Sequence, residues 1–367
     1  MPAAMTKRPR RRMAKIATAF LSVGALALSA CSSGGAGADG DGGGEGGTGG
    51  GGDSGELTPI TVVTFLPLES FTFAPEMMAY SGGYFEDHGL DVTLEPVQGT
   101  AATIQSIIGG AGFIARASTT DLLPAWEEGQ PIVGVGTQAR QTNLRIASST
   151  DNPVEEMSDL VGETIGLGSI GGTSERSLDL ALQAEGIPLD SVERQAVPVT
   201  AATFELVRRG ELAGYIVSLD TGITLATQND DAVVGPAGLE VTPDLQLYFA
   251  TPENIESDPE TVEAFLAAMT EATQFMIDDR ENNFDETLQI LRESGDWDFP
   301  ALHNDEAARA ALEVYTTETW TDDSGTPIMH TDPERFQEAY EALTEGGLVE
   351  GGEDPTQWFT NEYAPEP

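Results

Sequence analysis

GETIGLGSIGGTSERSLDLALQAEG, residues 162–186, reads as a short buried strand, a glycine-rich turn and a helix. Thr164 to Leu167 is mostly apolar, Gly168 to Gly172 permits a tight backbone, and Thr173 or Ser174 can cap the following helix. A strand delivered straight into a helix is the building unit of a mostly parallel, helix-covered sheet, which makes the fold class α/β. The first amides of such a helix have no intrahelical partner and lie at the positive end of its dipole. The turn therefore suits an anionic or electron-rich ligand group. Gly166, Gly168 and Gly171 also fit the dinucleotide spacing G-x-G-x-x-G, with Asp190 about 20 residues on. The other reading is a plain strand-to-helix turn whose glycines serve close packing.

Outward from this stretch, short apolar runs alternate with helical ones. Before it come strands near Ile60–Phe65, Asp91–Pro96, Phe113–Ala117 and Ile132–Thr137, with helices near Glu76–Gly82, Ala101–Ile108 and Leu122–Glu128. Leu144–Ser148 is one more extended run. After it come strands at Arg194–Val199, Ala213–Ser218, Ala232–Gly235 and Leu245–Ala250, with helices at Ala201–Gly210 and Gly222–Thr227. Two extended segments joining two such series predict a two-strand hinge between two lobes. The remaining chain is helical: Asp258-Pro259 and Asp332-Pro333 each place a cap ahead of proline at the first helical position.

The N-terminus argues against a cytosolic dinucleotide enzyme. Lys7, Arg8, Arg10, Arg11, Arg12 and Lys15 precede an apolar run, Ile16 to Ala30, too short to span a bilayer, followed by Cys31. This is the layout of a secretory signal. Leu28-Ser29-Ala30-Cys31 resembles the lipobox of bacterial lipoproteins, whose cysteine is acylated, and Cys31 is the single cysteine of the chain. Residues 32–56 contain 14 glycines in 25 and cannot build a core. Such a flexible tether spans roughly 25–30 Å.

Beyond Ala30 the chain has no lysine, and eleven arginines face all 61 acidic residues, a net charge of −50. That surface repels nucleic acid and anionic lipid, so the expected membrane attachment is the acyl anchor alone. The absence of lysine also rules out a Schiff-base or P-loop mechanism. His88, His303 and His330 have no metal-binding spacing, and there is no G-x-S-x-G elbow. An enzyme is not expected, nor a metal or cofactor.

AYSGGYFEDHGLDV at 79–92 resembles the corresponding stretch of solute-binding proteins, and the likeness continues through GQPIV at 129–133, DLVGETIG at 159–166 and GEL at 210–212. The chain is identified as a member of the type 2 periplasmic-binding family serving ABC importers for thiamine pyrimidine precursors, sulfonates, taurine and nitrate. Gly112 and Ala213 stand where that family usually has an acidic residue. Phe336 to Leu348 and FTNEY at 359–363 resemble the pyrimidine-precursor branch.

The resemblance implies two lobes, a hinge, and a small-molecule ligand held between them for delivery to an ABC permease by a lipid-anchored, extracytoplasmic monomer. Its expected layout is a signal peptide at 1–30, the lipidated cysteine and linker at 31–56, a first lobe from 57–143 and 249–367, and a second from 144–248. The cleft implied by the family is lined by strand ends and the loops after them. Glu69 could accept from amino groups while Phe71 and Phe73 stack on a flat ring. Ser118, Thr119, Thr120 and Asp121 either hydrogen-bond the ligand or cap a helix. Arg116 is either a paired structural ion or a ligand clamp. Ser169, Gly171, Gly172, Thr173 and Ser174, together with Asp220, come from the second lobe, and Tyr248 from the return strand. A thiamine pyrimidine precursor or similar N-heterocycle is the expected ligand, with sulfonate, taurine or nitrate, or a non-transport sensory role, as alternatives.

Overall fold

The computed structural model describes residues 56–366 except 169, 242, 243 and 323. The expected signal, Cys31 and nearly all of the expected tether lie outside the described residues, as does Ser169.

β1 (Thr58–Thr64) leads through a 3-10 turn, Phe71–Phe73, into α1 (Ala74–Ser81) and α2 (Tyr84–Asp87). β2 (Leu90–Pro96), α3 (Thr100–Ile108), β3 (Ile114–Ser118), α4 (Thr119–Glu127) and β4 (Val133–Ala139) follow. Along β1, Ile60 and Val62 face one core and Val63 the other, the alternation of a strand buried on both sides. The chain then crosses through residues 140–143 into a second sheet. There β5 (Leu144–Ser149), β6 (Thr164–Leu167), α5 (Thr173–Ala184), β7 (Glu193–Ala196), α6 (Phe204–Arg208), β8 (Gly214–Ser218), α7 (Leu219–Gln228) and β9 (Ala232–Gly235) succeed one another. A second crossing, residues 236–245, turns through left-handed Ala237 and Gly238 and returns as β10 (Gln246–Ala250).

The strand orders are β2-β1-β3-β10-β4 and β7-β6-β8-β5-β9. Each sheet is parallel except for one strand contributed across a crossing: β10 is antiparallel between β3 and β4, and β5 antiparallel between β8 and β9. The boundary expected after residue 248 falls inside β10, all five residues of which pair in the first sheet. A strand cannot be divided between two sheets without breaking its ladder, so the second half ends in the crossing.

The tail comprises α8 (Pro252–Ser257), α9 (Pro259–Asp278), α10 (Asp285–Ser294), α11 (Pro300–His303), α12 (Asp305–Val314) and α13 (Pro333–Glu345), with a π-helical turn at Tyr315–Thr319. The caps read from sequence form: the Asp258 side chain accepts from the Thr261 N–H, and that of Asp332 from the Glu334 and Arg335 N–H groups. α9, α10 and α12 cover one face of the first sheet, while α13 covers the other with Phe336, Tyr340 and Leu343. Leu219 of α7 and Leu180 of α5 join these two cores, so the tail also packs against the second half.

Candidate functional site

β1, β3 and β4 in the first sheet and β6 and β8 in the second end facing the crossings. In open α/β sheets, ligands bind outside the carboxyl ends of the strands. Two polar seams join the halves there. Asp121, in the first turn of α4, accepts from Thr100 Oγ1 at 2.9 Å, from Thr173 Oγ1 of α5 at 2.6 Å, and from the Arg176 guanidinium. At the other seam Ser70 Oγ donates to Asp220 Oδ1 at 2.8 Å, and the Tyr315 hydroxyl reaches the same oxygen at 3.4 Å. Asn143, in the first crossing, donates to Thr72 Oγ1 at 2.6 Å and to Tyr315 at 3.3 Å, and Thr72 and Tyr315 share a hydrogen bond of 2.9 Å.

Three helix N-termini face the crossings, and each carries a carboxylate from this chain. At α4, buried Asp244 accepts from Ser118, from Thr120 at 3.1 Å and from Thr119 at 3.4 Å, while Ser118 Oγ accepts from the Thr120 N–H. Burial pushes the Asp244 carboxyl up to about 6, with the nearby charge of Asp121 acting the same way and the hydroxyls opposing both. At α7, burial likewise raises the Asp220 carboxyl against the hydroxyls of Ser70 and Ser218. At α5, the Gly171 N–H is taken by Glu175. The positions where an anionic ligand gains most are thus occupied by carboxylates.

Of the residues expected at the site, Asp121, Thr173 and Asp220 are brought to the seams. Gly171, at φ +77°, and the cap residue Gly172 form the turn before α5, and Ser174 is half-buried in its first turn. Ser118, Thr119 and Thr120 serve Asp244 and the start of α4. Glu69 is exposed on the loop after β1.

Three expectations are corrected. Phe71 and Phe73 are core side chains, Phe71 edge-on to Phe299 at 5.1 Å and Phe73 tilted against Phe65 at 5.3 Å, so neither offers a free face to a ring. Arg116 is the paired ion and not a clamp. It is fully buried 3.2 Å from Glu76, donates to the Thr72 carbonyl at 2.7 Å, and lies over the Phe73 ring at 4.8 Å. Tyr248 is buried beside that pair, with its hydroxyl 3.4 Å from Gln138.

Asp244, Asn143 and Tyr315 were not singled out from sequence. Asp244 had a visible signal, since Asp-x-Gln heads an otherwise apolar strand. Tyr315 had none, because its partners lie between 95 and 243 residues away.

Comparison with known proteins follows the same lines. The chain is 25% identical over 313 residues, 81% of its length and 84% of the relative's, to the riboflavin-binding protein RibY of Chloroflexus aurantiacus. In structure it is similar to a Bordetella bronchiseptica protein, with TM-score 0.65 at 20% identity, covering 84% of this chain and 96% of that one. It is also similar to the periplasmic aliphatic sulphonate binding protein of Escherichia coli, with TM-score 0.62 at 14% identity, covering 82% and 97%. The two-sheet α/β architecture is that of the periplasmic-binding fold. Residues 70–283 match the family described as NMT1/THI5 like, and the chain belongs to that family.

Proposed function

We propose that this chain is an extracytoplasmic, lipid-anchored solute-binding protein that delivers a nitrogen heterocycle bearing N–H donors to an ABC importer. The observation that carries this reading is the set of carboxylates at the facing helix N-termini, Asp121 and Asp244 at α4 and Asp220 at α7. A ligand with amino or ring N–H groups complements Asp121, Asp220 and Asp244, whereas a sulfonate or nitrate would meet charges of its own sign. Leu66, Ile170 and Val199, each between 43% and 56% exposed, sit on the loops after β1, β6 and β7 and supply apolar surface for a flat ring. A thiamine pyrimidine precursor and the riboflavin of the RibY relative both meet this description. The anchor at Cys31, the monomeric state and the absence of turnover are parts of the same reading.

A second reading, an anionic solute, is favoured by Arg145. It is half-buried at the start of β5, donates only to the carbonyls of Thr142 and Leu144, and alone among the arginines of the described residues makes no ion pair.

A ligand that binds only the folded chain at a hundredfold excess over its dissociation constant stabilises it by about 2.7 kcal/mol. Thermal melts against aminopyrimidines, thiamine, riboflavin, taurine, alkylsulfonates and nitrate test both readings. A shift with a heterocycle supports the first, and one with only the anions supports the second. No shift with any of them favours a sensory or scaffolding role.

A further inference from the structure

Gln246 is the first residue of β10 and pairs in register with Ser118 and Ala139, the last residues of β3 and β4. It therefore lies on the carboxyl edge of the first sheet, where the first crossing leaves and the second returns. Its side chain is buried, with 5% exposure, yet Oε1 has no hydrogen-bond partner. The neighbouring donors are committed elsewhere. Ser118, Thr119 and Thr120 all turn their hydroxyls to Asp244, and the Thr119 N–H donates to the Leu245 carbonyl. The chain's other buried glutamine, Gln138, reaches both Tyr248 and Thr273. Leaving a buried amide oxygen unpaired is costly, and such a group in a native fold calls for a reason.

We infer that Gln246 is a specificity-determining residue of the cleft, its side-chain carbonyl accepting an N–H of the bound solute. This rests on the heterocycle reading above and deepens it. A buried neutral acceptor without a partner matches an amino or ring N–H of such a solute. A site with a buried acceptor discriminates strongly against an analogue lacking the donor, because the acceptor is then left unpaired.

The test is titration calorimetry of the full chain with riboflavin and with 4-amino-5-hydroxymethyl-2-methylpyrimidine, beside scanning calorimetry of the unliganded protein. Gln246→Met keeps the volume and removes the acceptor. It should melt at or above the parent temperature and bind the parent's ligand at least tenfold more weakly. Gln246→Glu, which keeps an acceptor oxygen, should stay within a few-fold of the parent. Unchanged affinity in Gln246→Met would overturn the inference. So would a lower melting temperature for the unliganded Met variant, which would make the amide a structural partner. If the parent binds neither probe, the heterocycle reading fails by itself, and Gln246 is judged by the melting comparison, where a rise upholds the unpaired acceptor and a fall removes it.

Discussion

Ser70 Oγ donates to Asp220 Oδ1 at 2.8 Å across 150 residues of sequence, tying the loop after β1 to the start of α7 in the other half of the molecule. The same carboxylate is a candidate acceptor for the solute. Asp220→Asn keeps the shape of the seam but replaces one acceptor oxygen by a donor. Binding of an N–H-bearing heterocycle should fall by about tenfold or more, because an unpaired buried donor costs roughly 1–3 kcal/mol. Calorimetric titration reads this directly, and equal affinity in the variant would take Asp220 out of the site.

Asp244 should make the protein less stable as pH rises. Its folded-state pKa of about 6 lies above the unfolded value of 3.8, so between these the folded chain holds a proton that the unfolded chain has released. The stabilisation is complete below pH about 4 and is lost as pH rises through about 6, a difference of about 3 kcal/mol. Asp244→Asn should remove that pH dependence and raise stability at neutral pH relative to the parent. Urea unfolding at several pH values between 4 and 7.5 compares the two, and parallel curves would contradict the assignment.

The buried Arg116–Glu76 pair should govern stability and leave recognition alone. Arg116→Met strands the Glu76 carboxylate in the core, at a cost of about 3–5 kcal/mol, and adding Glu76→Leu should restore much of it. Denaturant midpoints for the single and double variants decide this. An Arg116→Met chain that folds with parental stability but loses ligand would return the residue to the clamp role.

Asp121 and Arg176 close the second seam at a partly exposed place, where an ion pair contributes only about 0–1 kcal/mol. That is little for global stability but enough to move an equilibrium between closed and open lobes. Arg176→Ala should increase the radius of gyration of the unliganded protein in X-ray scattering, with ligand reversing the change. Identical scattering profiles with and without the substitution would mean that the seam does not hold closure.

Cys31→Ser should abolish acylation and shift the protein from the detergent to the aqueous phase. Retention in the detergent phase would exclude the anchor.

What could be read from the sequence was local. β2, β5 and β9 lie within a residue or two of the expected runs, because alternation, glycine turns and Asp-Pro caps act over a few positions. Phe71 and Phe73 read as available because two aromatics in a loop after a strand carry no local sign of burial. What buries them is Phe299, from the distant helical tail, together with Phe65. Arg116 stood out as a charge in an apolar strand, but its partner lies on a helix 40 residues earlier, and no spacing rule connects the two. The seams are likewise products of closing two sheets on one another, so Asp220 could be guessed as a helix-start acid while Tyr315 could not.

A strand-like contact from late in the sequence completes the edge of the first sheet. Phe359 bridges to Gly134 at the edge of β4, and the Thr360 N–H donates to the Gly134 carbonyl at 2.8 Å. A β-carbon at Gly134 would come within 3.2 Å of Phe359 and 2.9 Å of Leu247, so glycine is what lets the terminal segment lie against the sheet. With β10 also coming from beyond the residues of the second sheet, the first sheet is completed only by residues 246–250 and 359–360. Residues 57–143 alone therefore leave β3 and β4 without the strand that lies between them. A stop codon ahead of residue 359 would release a chain whose β4 edge is bare and prone to pairing with its neighbours.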